Sequence, residues 1–531
     1  MEQARDLVNR ASELYGAGRP DEAAALCRAA VALSPDLLAA NGNFGVIAAG
    51  LGRLDEAVTA LRQAVRIDPG QLDTRLNLAV VLNRRVGNRA GQTLRDIRTV
   101  RQQYENLPFP PRDPEAEHYA LKVSTPDILA KINQYGFGGA RDFSQPFRVL
   151  VAGCGTGDSA VWLANQLRGF PADITAIDLS EASLDVARSR AAMRGLGNIN
   201  WVHGSLLDIA ALAAGPYDYI TCLGVLHHLP DPEAGLRALE SVLAAGGAMA
   251  IMVYGAVGRS HIYSLQALLR PLTKALDHPA DQLAFAKRIV GNLPATNDFR
   301  QREGVDAIRN SYLSDDTNFW DTLLHAQDRA YTVSQFRDFL ASAGLHVQAF
   351  GSYAGNAAIS PLQYDLAFHL GDPPHLRGLA ESEREDAAEI LDGSLTLHTA
   401  YVTRERQAAL DPAAPLAILA PMSESGRKAV THLAAGNAEI PVTLSNGSML
   451  TYRPSEMTRR FLAALDGVRD NATIADALGI DLDRIRADLL IPAALHWLTA
   501  RLAAGTAFAP LPDRNGLSFP LPHREPSLLP F

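Results

Sequence analysis

At 531 residues, with 47% hydrophobic and 20% charged side chains, the chain is too long for one core and reads as an ordinary globular protein of about two to four domains. Its net charge of −9 argues against dedicated nucleic-acid binding. Cys27, Cys154 and Cys222 show neither C-x-x-C nor zinc spacing, so a reduced, cytoplasmic chain without a metal site is expected.

The opening MEQARDLVNR lacks the basic start and apolar core of a signal peptide. A repeat then appears. GRPDEAAALCRAAVALSPD at 18–36 aligns with GRLDEAVTALRQAVRIDPG at 52–70, matching Gly18 with Gly52, Ala23 with Ala57, Ala30 with Ala64 and Pro35 with Pro69. In the preceding helices Asn9, Asn43 and Asn77 fall in register, as do Ala11, Gly45 and Ala79. Small residues at such points let antiparallel helices approach, and proline stops the second of each pair. Residues 1–103 therefore resemble a tetratricopeptide array, with a third repeat that loses its pattern after NLAVVLNRRVGN. The array offers a groove for a protein substrate or partner. The alternative is a cap that steadies its neighbour or mediates homo-oligomeric self-association.

YENLPFPPRDPEAEHY at 104–119 carries Pro108, Pro110, Pro111 and Pro114, which exclude a helix and favour a stiff, extended segment. With Tyr104, Phe109 and Arg112 it reads as a strap across an active-site mouth; a plain linker is the alternative. A lead-in helix completes 104–146.

VLVAGCGTGDSAVWLA comes next. A β-branched run feeds Gly153-Cys154-Gly155-Thr156-Gly157, and a helix begins. A dinucleotide loop reads G-x-G-x-x-G, but here the third glycine comes one residue early and Asp158 takes its place. An acid there repels a pyrophosphate. A phosphate-free cofactor such as S-adenosylmethionine meets no such penalty, and its amino-acid portion can approach the G-x-G-x-G backbone. ADITAIDLSEASLDVARSRA gives a second strand ending in Asp178, about 20 residues on, where a carboxylate can accept from both ribose hydroxyls. Ser180 is the N-cap of the next helix, with Ser183 and Asp185 in its first turn. NINWVHGSLLDI is a third strand and YDYITCLGVLHHL a fourth. DPEAGLRALESVLAAGGAMAIMVYG gives a helix, a Gly246-Gly247 break and a fifth strand. This alternation predicts an α/β, parallel, doubly wound sheet.

Over 147–255 these motifs, in this order, resemble the core of a class I S-adenosylmethionine-dependent methyltransferase. VLVAGCGTG, TAIDLS and GVLHHLPDPEAG behind helical repeats resemble a bacterial group of repeat-fused methyltransferases, some of them protein methyltransferases with a regulatory domain. The resemblance implies a Rossmann-like seven-stranded sheet within 147–410, with S-adenosyl-L-methionine as cofactor. It also implies cofactor contacts from Gly153, Cys154, Gly155, Thr156, Gly157, Asp178, Leu179, Ser205 and Leu206. Two positions depart from the pattern. Val151 stands where an acid usually precedes the loop, which leaves the methionine ammonium to backbone carbonyls or another acid. Gly204-Ser205 replaces the Gly-Asp that faces adenine, with Asp208 as a substitute.

Ligands of such a sheet bind beyond the carboxyl ends of its strands, which places His227, His228 and Tyr254 beside the transferred methyl group. Either histidine suits general-base work at neutral pH; packing or cofactor positioning is the alternative. The insertion at 256–330 reads as a lid, with Arg259, Tyr263, His325 and Arg329 forming an acceptor pocket beneath it. An Asp328–Arg329 ion network holding the insertion down is the alternative. Thr332 or Ser334 then starts a helix that Gly344 ends, followed by a sixth strand. LTLHTAYVTRE at 395–405 is the seventh, closing the sheet at its edge, with His398 structural.

A boundary falls at DPAAPLAILAPM, and 411–531 reads as a small accessory domain of three helices separated by Asp466-Gly467 and Gly479, winged-helix-like if short strands flank them. LLIPAALHWLTARLAAG, with His496 and Arg501, reads as a packed helix rather than a membrane span. The tail FPLPHREPSLLPF reads as mobile or laid on the surface. Three functions fit: a methyltransferase acting on a protein side chain, one acting on a small molecule with repeats for assembly, and a cofactor-binding scaffold without turnover.

Overall fold

A computed structural model of the chain describes residues 1–89, 99–213, 215–351, 361–371, 373–406, 410–421, 424–444, 446–495, 497–503, 505–506 and 517–518. The repeats fold as helices α1 (Glu2–Gly16), α2 (Pro20–Leu33), α3 (Leu38–Gly50), α4 (Leu54–Ile67) and α5 (Leu72–Arg89). Gly18 and Gly52 take the left-handed turn that ends α1 and α3, at φ of +74° and +75°. α3 crosses α4 closely at Gly45, where an added Cβ would sit 2.5 Å from Leu61 Cγ. α4 and, from the insertion, the helix Asp316–Leu323 pack against α5, with Arg84 donating to the Ser314 hydroxyl at 3.1 Å. Ala116, Ala120 and Tyr119, from the proline-rich segment, pack into the array's apolar cluster as well.

That segment is not wholly extended. Tyr104, Glu105 and Asn106 close a short helix, α6 (Val100–Asn106), N-capped by Thr99, whose hydroxyl accepts from the Gln102 N–H. The first proline, Pro108, restricts only the residue before it, so the helix runs freely to Asn106. Residues 107–113 are neither helix nor strand, with bends at Leu107, Phe109 and Pro110, and Pro114–His118 forms a 3₁₀ turn.

The central sheet has seven main strands: β1 (Phe147–Ala152), β2 (Ala172–Asp178), β3 (Ile199–His203), β4 (Tyr217–Leu223), β5 (Leu243–Gly255), β6 (His346–Phe350) and β7 (Leu397–Thr403). Their order is β3-β2-β1-β4-β5-β7-β6, with Ala330–Tyr331 adding a short parallel pairing to the end of β5. The first five run parallel, and β7 runs antiparallel to both neighbours. The seventh strand therefore does not close the sheet at its edge. It lies inside, and its residues from His398 to Thr403 are all buried; β6, exposed at His346, is the edge. Helices α7 (Asp158–Gln166), α8 (Glu181–Met193) and α9 (Pro232–Ser241) alternate with the early strands.

The 256–330 insertion folds around its own apolar cluster, which includes Ile262, Leu269, Phe299, Phe319 and Trp320. Its principal helices are α10 (Ser260–Thr273) and α11 (Asp316–Leu323). Helix α12 (Val333–Ala341) begins with a capping box between Thr332 and Gln335.

Beyond residue 410 the three expected helices, Glu456–Ala463, Asn471–Leu478 and Leu482–Ala494, are joined by a fourth, Glu424–Ala434, and by two antiparallel strand pairs. The apolar stretch at 489–505 is not one helix. It breaks after Ala494, and Leu498–Arg501 pairs with Ile418–Pro421, burying Leu498 and Ala500 on one face. His496 and the tail at 519–531 lie outside the described residues. Among the described residues no helix is long and apolar enough to cross a membrane.

Because Gly45 leaves no room for a side chain, Gly45→Val should destabilise the array by about 2 kcal/mol. Gly16→Ala, with open space around it, should shift stability by less than about 0.5 kcal/mol. Thermal unfolding of the full chain compares the two; equal midpoints would show that α3 and α4 do not meet this closely.

Candidate active site

The glycine loop leaves β1 at Ala152 and enters α7 through Gly157. An added Cβ on Gly157 would lie 2.8 Å from Ala187 of α8, so the residue sets how closely α7 and α8 approach. One on Gly155 would strike the Phe109 carbonyl. The strap thus lies against the loop. The Thr156 N–H donates to Phe109 O at 3.2 Å, and its hydroxyl donates to Pro110 O at 2.7 Å. Asp178 fixes the other side, accepting from the Gly155 N–H at 2.7 Å and the Ser180 N–H at 2.9 Å. Burial pushes its carboxyl upward, and these backbone donors counter that.

A buried ion cluster seals the strap in place. Asp158 accepts from Arg112 Nε and Nη2 at 2.9 and 2.7 Å, and from Arg190 Nη1 at 2.8 Å. Glu117 accepts from Arg190 Nε at 2.8 Å and also pairs with Arg194. Burial alone would raise Asp158, but the two guanidinium groups outweigh it and hold the carboxyl far below the usual range. Lys122 stands next to this cluster. Burial, with Arg112 beside it, lowers its ammonium to about 7.

A cavity of about 540 Å³ runs from the loop to the tip of β5. At the loop end it is lined by Phe109, Arg112, Lys122, Ser124, Gly155 and Asp158. Along its middle lie Gly153, Cys154, Asp178, Leu179, Ser205 and Leu206. At the far end stand Tyr104, His228, Tyr254, Asn318 and Asp321. Thr156 and Gly157 are not among its lining residues; they hold the strap and the helix packing. Asp208 is exposed and does not line the cavity, while the Ser205 hydroxyl accepts from the Leu207 N–H at its wall. The serine therefore has no carboxylate substitute in Asp208.

The two adjacent histidines differ. His228 lines the cavity, and its Nδ1 lies 2.9 Å from the Gln327 carbonyl, which can only accept. Nδ1 therefore carries the proton and Nε2 keeps a lone pair. Burial lowers His228, and Asp328 partly offsets that. His227 does not line the cavity. It is fully buried against Tyr254 and His228, and neither ring nitrogen has a hydrogen-bond partner among the described residues. Burial holds it well below the ordinary imidazole range.

None of the four residues expected to form the acceptor pocket lines the cavity. Arg259 lies behind Tyr254, its guanidinium 3.6 Å from the ring centre. Tyr263 donates to Asp328 at 3.2 Å, and His325 stacks on His228 at 3.9 Å. Arg329 points outward: its side chain is 54% exposed and pairs with Glu233. It stands just ahead of the short strand Ala330–Tyr331, and its guanidinium lies 4.7 Å from the Tyr331 ring centre. No ion pair joins Asp328 to Arg329 among the described residues. Asp328 accepts instead from Tyr263 and from Gln266, the latter at 3.1 Å. His398 sits in a buried network with Tyr364 and Glu389.

Sequence reading missed Lys122, Ser124, Asn318 and Asp321. Lys122 lies on a two-residue strand with no periodicity to mark it. Asn318 and Asp321 do carry a signal, since three-residue spacing puts both on one side of α11, Asp321 buried and Asn318 half-buried.

A family model described as a methyltransferase domain matches residues 149–247, and a tetratricopeptide repeat model matches 14–73. An uncharacterized protein of Synechococcus is 34% identical over 301 residues, covering 55% of this chain and 68% of that one. A ubiquinone biosynthesis O-methyltransferase of Escherichia fergusonii is 30% identical over 177 residues, covering 30% of this chain and 72% of that enzyme. The chain belongs to the class I S-adenosylmethionine-dependent methyltransferases. Among solved structures, PKMT2 from Rickettsia typhi in complex with AdoHcy superposes with a TM-score of 0.48 and 13% identity, covering 72% of this chain and 77% of that one.

The methyltransferase cofactor is S-adenosyl-L-methionine, and the cavity suits it chemically. The loop end is rich in cationic groups, as a methionine carboxylate requires, and Asp178 offers acceptors midway. If the strap is the wall of this cavity, Gly155→Ala must push Phe109 away at a φ of +52°. Affinity for S-adenosyl-L-methionine, read by calorimetric titration, should fall at least about tenfold, roughly 1.4 kcal/mol. Unchanged affinity would remove the strap from the binding wall.

Proposed function

We propose that this methyltransferase acts on a protein side chain whose reacting atom first loses a proton to His228. The observation that carries the reading is the strap, because one segment is both a cavity wall and the part of the chain gripped by the repeats. Phe109, Pro110 and Arg112 line the cavity. Asn83 accepts from the Asp113 N–H at 2.8 Å, Arg85 pairs with Asp113, and Arg62 pairs with Glu115. A protein held by the array is therefore held beside the reaction site.

When bound, the cofactor supplies an electrophilic methyl group on a sulfonium. The loop backbone at Gly153, Cys154 and Gly155 would let its amino-acid end approach, with Arg112 and Lys122 available to its carboxylate. Asp178 would accept from the ribose hydroxyls, and Leu179, Ser205 and Leu206 would hold the adenine. Tyr254, wedged between His227 and the Arg259 guanidinium, fixes the acceptor wall. The neutral Nε2 of His228 accepts the acceptor's proton, and the lid excludes water. A small-molecule acceptor is the second reading. It is favoured by the lid itself, since α11 contributes Asn318 and Asp321 to the far end and roofs it.

Incubation with methyl-labelled cofactor and a whole-cell lysate should place label in the protein fraction; label confined to the low-molecular-mass fraction would favour the second reading. His228→Gln should lower kcat by about 10²–10⁴-fold with cofactor affinity unchanged, and a variant that keeps its rate would remove His228 as the base. Lys122 makes binding pH-dependent. It titrates at about 7 in the free protein, and an adjacent carboxylate raises that, so binding above pH 7 takes up a proton. Affinity should fall as pH rises past 7, a slope that Lys122→Met should abolish in titrations across pH 6–9.

A further inference from the structure

We propose that Asp321 and Tyr104 form the acceptor-binding site and that the acceptor is a primary amine entering as its ammonium. The inference rests on the methyl-transfer reading and names the chemical class of its acceptor.

Asp321 projects from α11 of the lid, and Tyr104 from α6 just ahead of the strap. Both line the far end of the cavity with His228. Their hydrogen bonds have a fixed direction. His325 Nδ1 accepts from the Gln327 N–H at 3.0 Å, so its proton is on Nε2, which donates to the Tyr104 oxygen at 3.1 Å. The Tyr104 hydroxyl therefore donates to Asp321 Oδ1 at 3.1 Å. That leaves Asp321 Oδ2, which has no hydrogen-bond partner among the described residues, as the open acceptor at the cavity.

Charge selects the donor. Two carboxyl groups, Asp321 and Asp328, and one buried guanidinium, Arg259, stand around this end, with the exposed Arg270 behind Gln266. Three imidazoles, His227, His228 and His325, are each pushed toward the neutral form by burial. Asp328 already accepts from Tyr263 and Gln266, and Arg259 attracts it. Asp321 makes no ion pair with Lys or Arg among the described residues; Arg259 attracts it from behind Tyr254, yet burial still raises its carboxyl to about 7. A hydroxyl donor would leave that carboxylate without an ion-pair partner in a desolvated site, whereas an ammonium supplies one through a charge-assisted hydrogen bond.

The chemistry balances. R–NH₃⁺ gives one proton to His228 Nε2, and the freed nitrogen lone pair forms the N–C bond. The C–S bond breaks with its electron pair on sulfur, giving R–NH₂⁺–CH₃ and S-adenosylhomocysteine. The proton on His228 leaves to solvent as the product departs. Asp321 binds the cation and His228 deprotonates it, which is why both are present.

Two measurements on the full chain test this. Labelled product from the lysate incubation is acid-hydrolysed and its methylated component identified. An N-methylated amine within protein supports both readings, and an N-methylated small amine supports this inference while overturning the protein acceptor. Label on oxygen, sulfur or an amide overturns this inference wherever it is found. Independently of turnover, n-butylammonium is compared with butan-1-ol as a probe in the presence of S-adenosylhomocysteine. The ammonium should bind at least tenfold more tightly than the alcohol to the wild type, and this preference should be lost in Asp321→Asn and kept in Asp321→Glu. Equal binding of alcohol and ammonium by the wild-type chain overturns the proposal without recourse to any variant.

Discussion

The buried cluster of Asp158, Glu117, Arg112, Arg190 and Arg194 is the constraint on which the rest of this structure depends. Arg190 is 1% exposed, so its charge has no recourse to solvent if a partner leaves. Removing one member of a buried ion pair typically costs about 3–5 kcal/mol, because the other charge is stranded. The cluster joins three separate pieces of chain. Asp158 opens the helix after the glycine loop, Arg190 and Arg194 end α8, and Arg112 and Glu117 belong to the strap. Its members satisfy one another only when the strap lies across the loop, so the strap's position is specified electrostatically as well as by packing.

This changes how the repeats relate to the site. Short arrays are often pictured as detachable grips, but here the last helix is packed against the lid helix α11 and against the strap. Ala116, Ala120 and Tyr119 of the strap cover its apolar face, and Arg62, Asn83 and Arg85 hold the strap's carboxylates and backbone. Deleting the array would uncover the strap and disturb the cofactor cavity at the same time. The repeats thus back the strap that lines the cavity, without lining it themselves.

What was legible in the sequence follows from range. The glycine loop, the strand ending in Asp178, the Ser180 cap and the helix stops at Gly18 and Gly52 are local devices, in which neighbouring residues state their own geometry. The reading failed where distant chain decides. β7 looks like a terminal strand in sequence, yet its unbroken burial belongs to an interior position that only β6 and its pairing reveal. The stretch at 489–505 has the apolar content of a helix, but pairing with Ile418–Pro421 converts its second half to a strand. Tyr104 was credited to an extended strap because prolines follow it, although proline restricts only the residue before it. At the acceptor end the error was of the same kind. Arg259, Tyr263 and His325 are in the right region, but they form the layer behind the wall, and the wall itself uses Tyr104 and Asp321.

That layered arrangement explains how a site with so many ionisable groups stays poised near neutrality. The outer layer orients the inner one: Gln327 fixes the tautomers of both His228 and His325, through its carbonyl and its N–H respectively. His325 then directs the Tyr104 hydroxyl toward Asp321. The inner groups come from three elements, the turn after β4, the helix before the strap and the lid, so the proton acceptor and the free carboxylate oxygen meet only when all three are packed together. A lid that had not docked would leave His228 without Gln327 and the cavity without Asp321. On the proposed reading, cofactor binding would draw on the loop, β2 and the strap, whereas acceptor binding would draw on the lid as well, so that the two would depend on different parts of the fold.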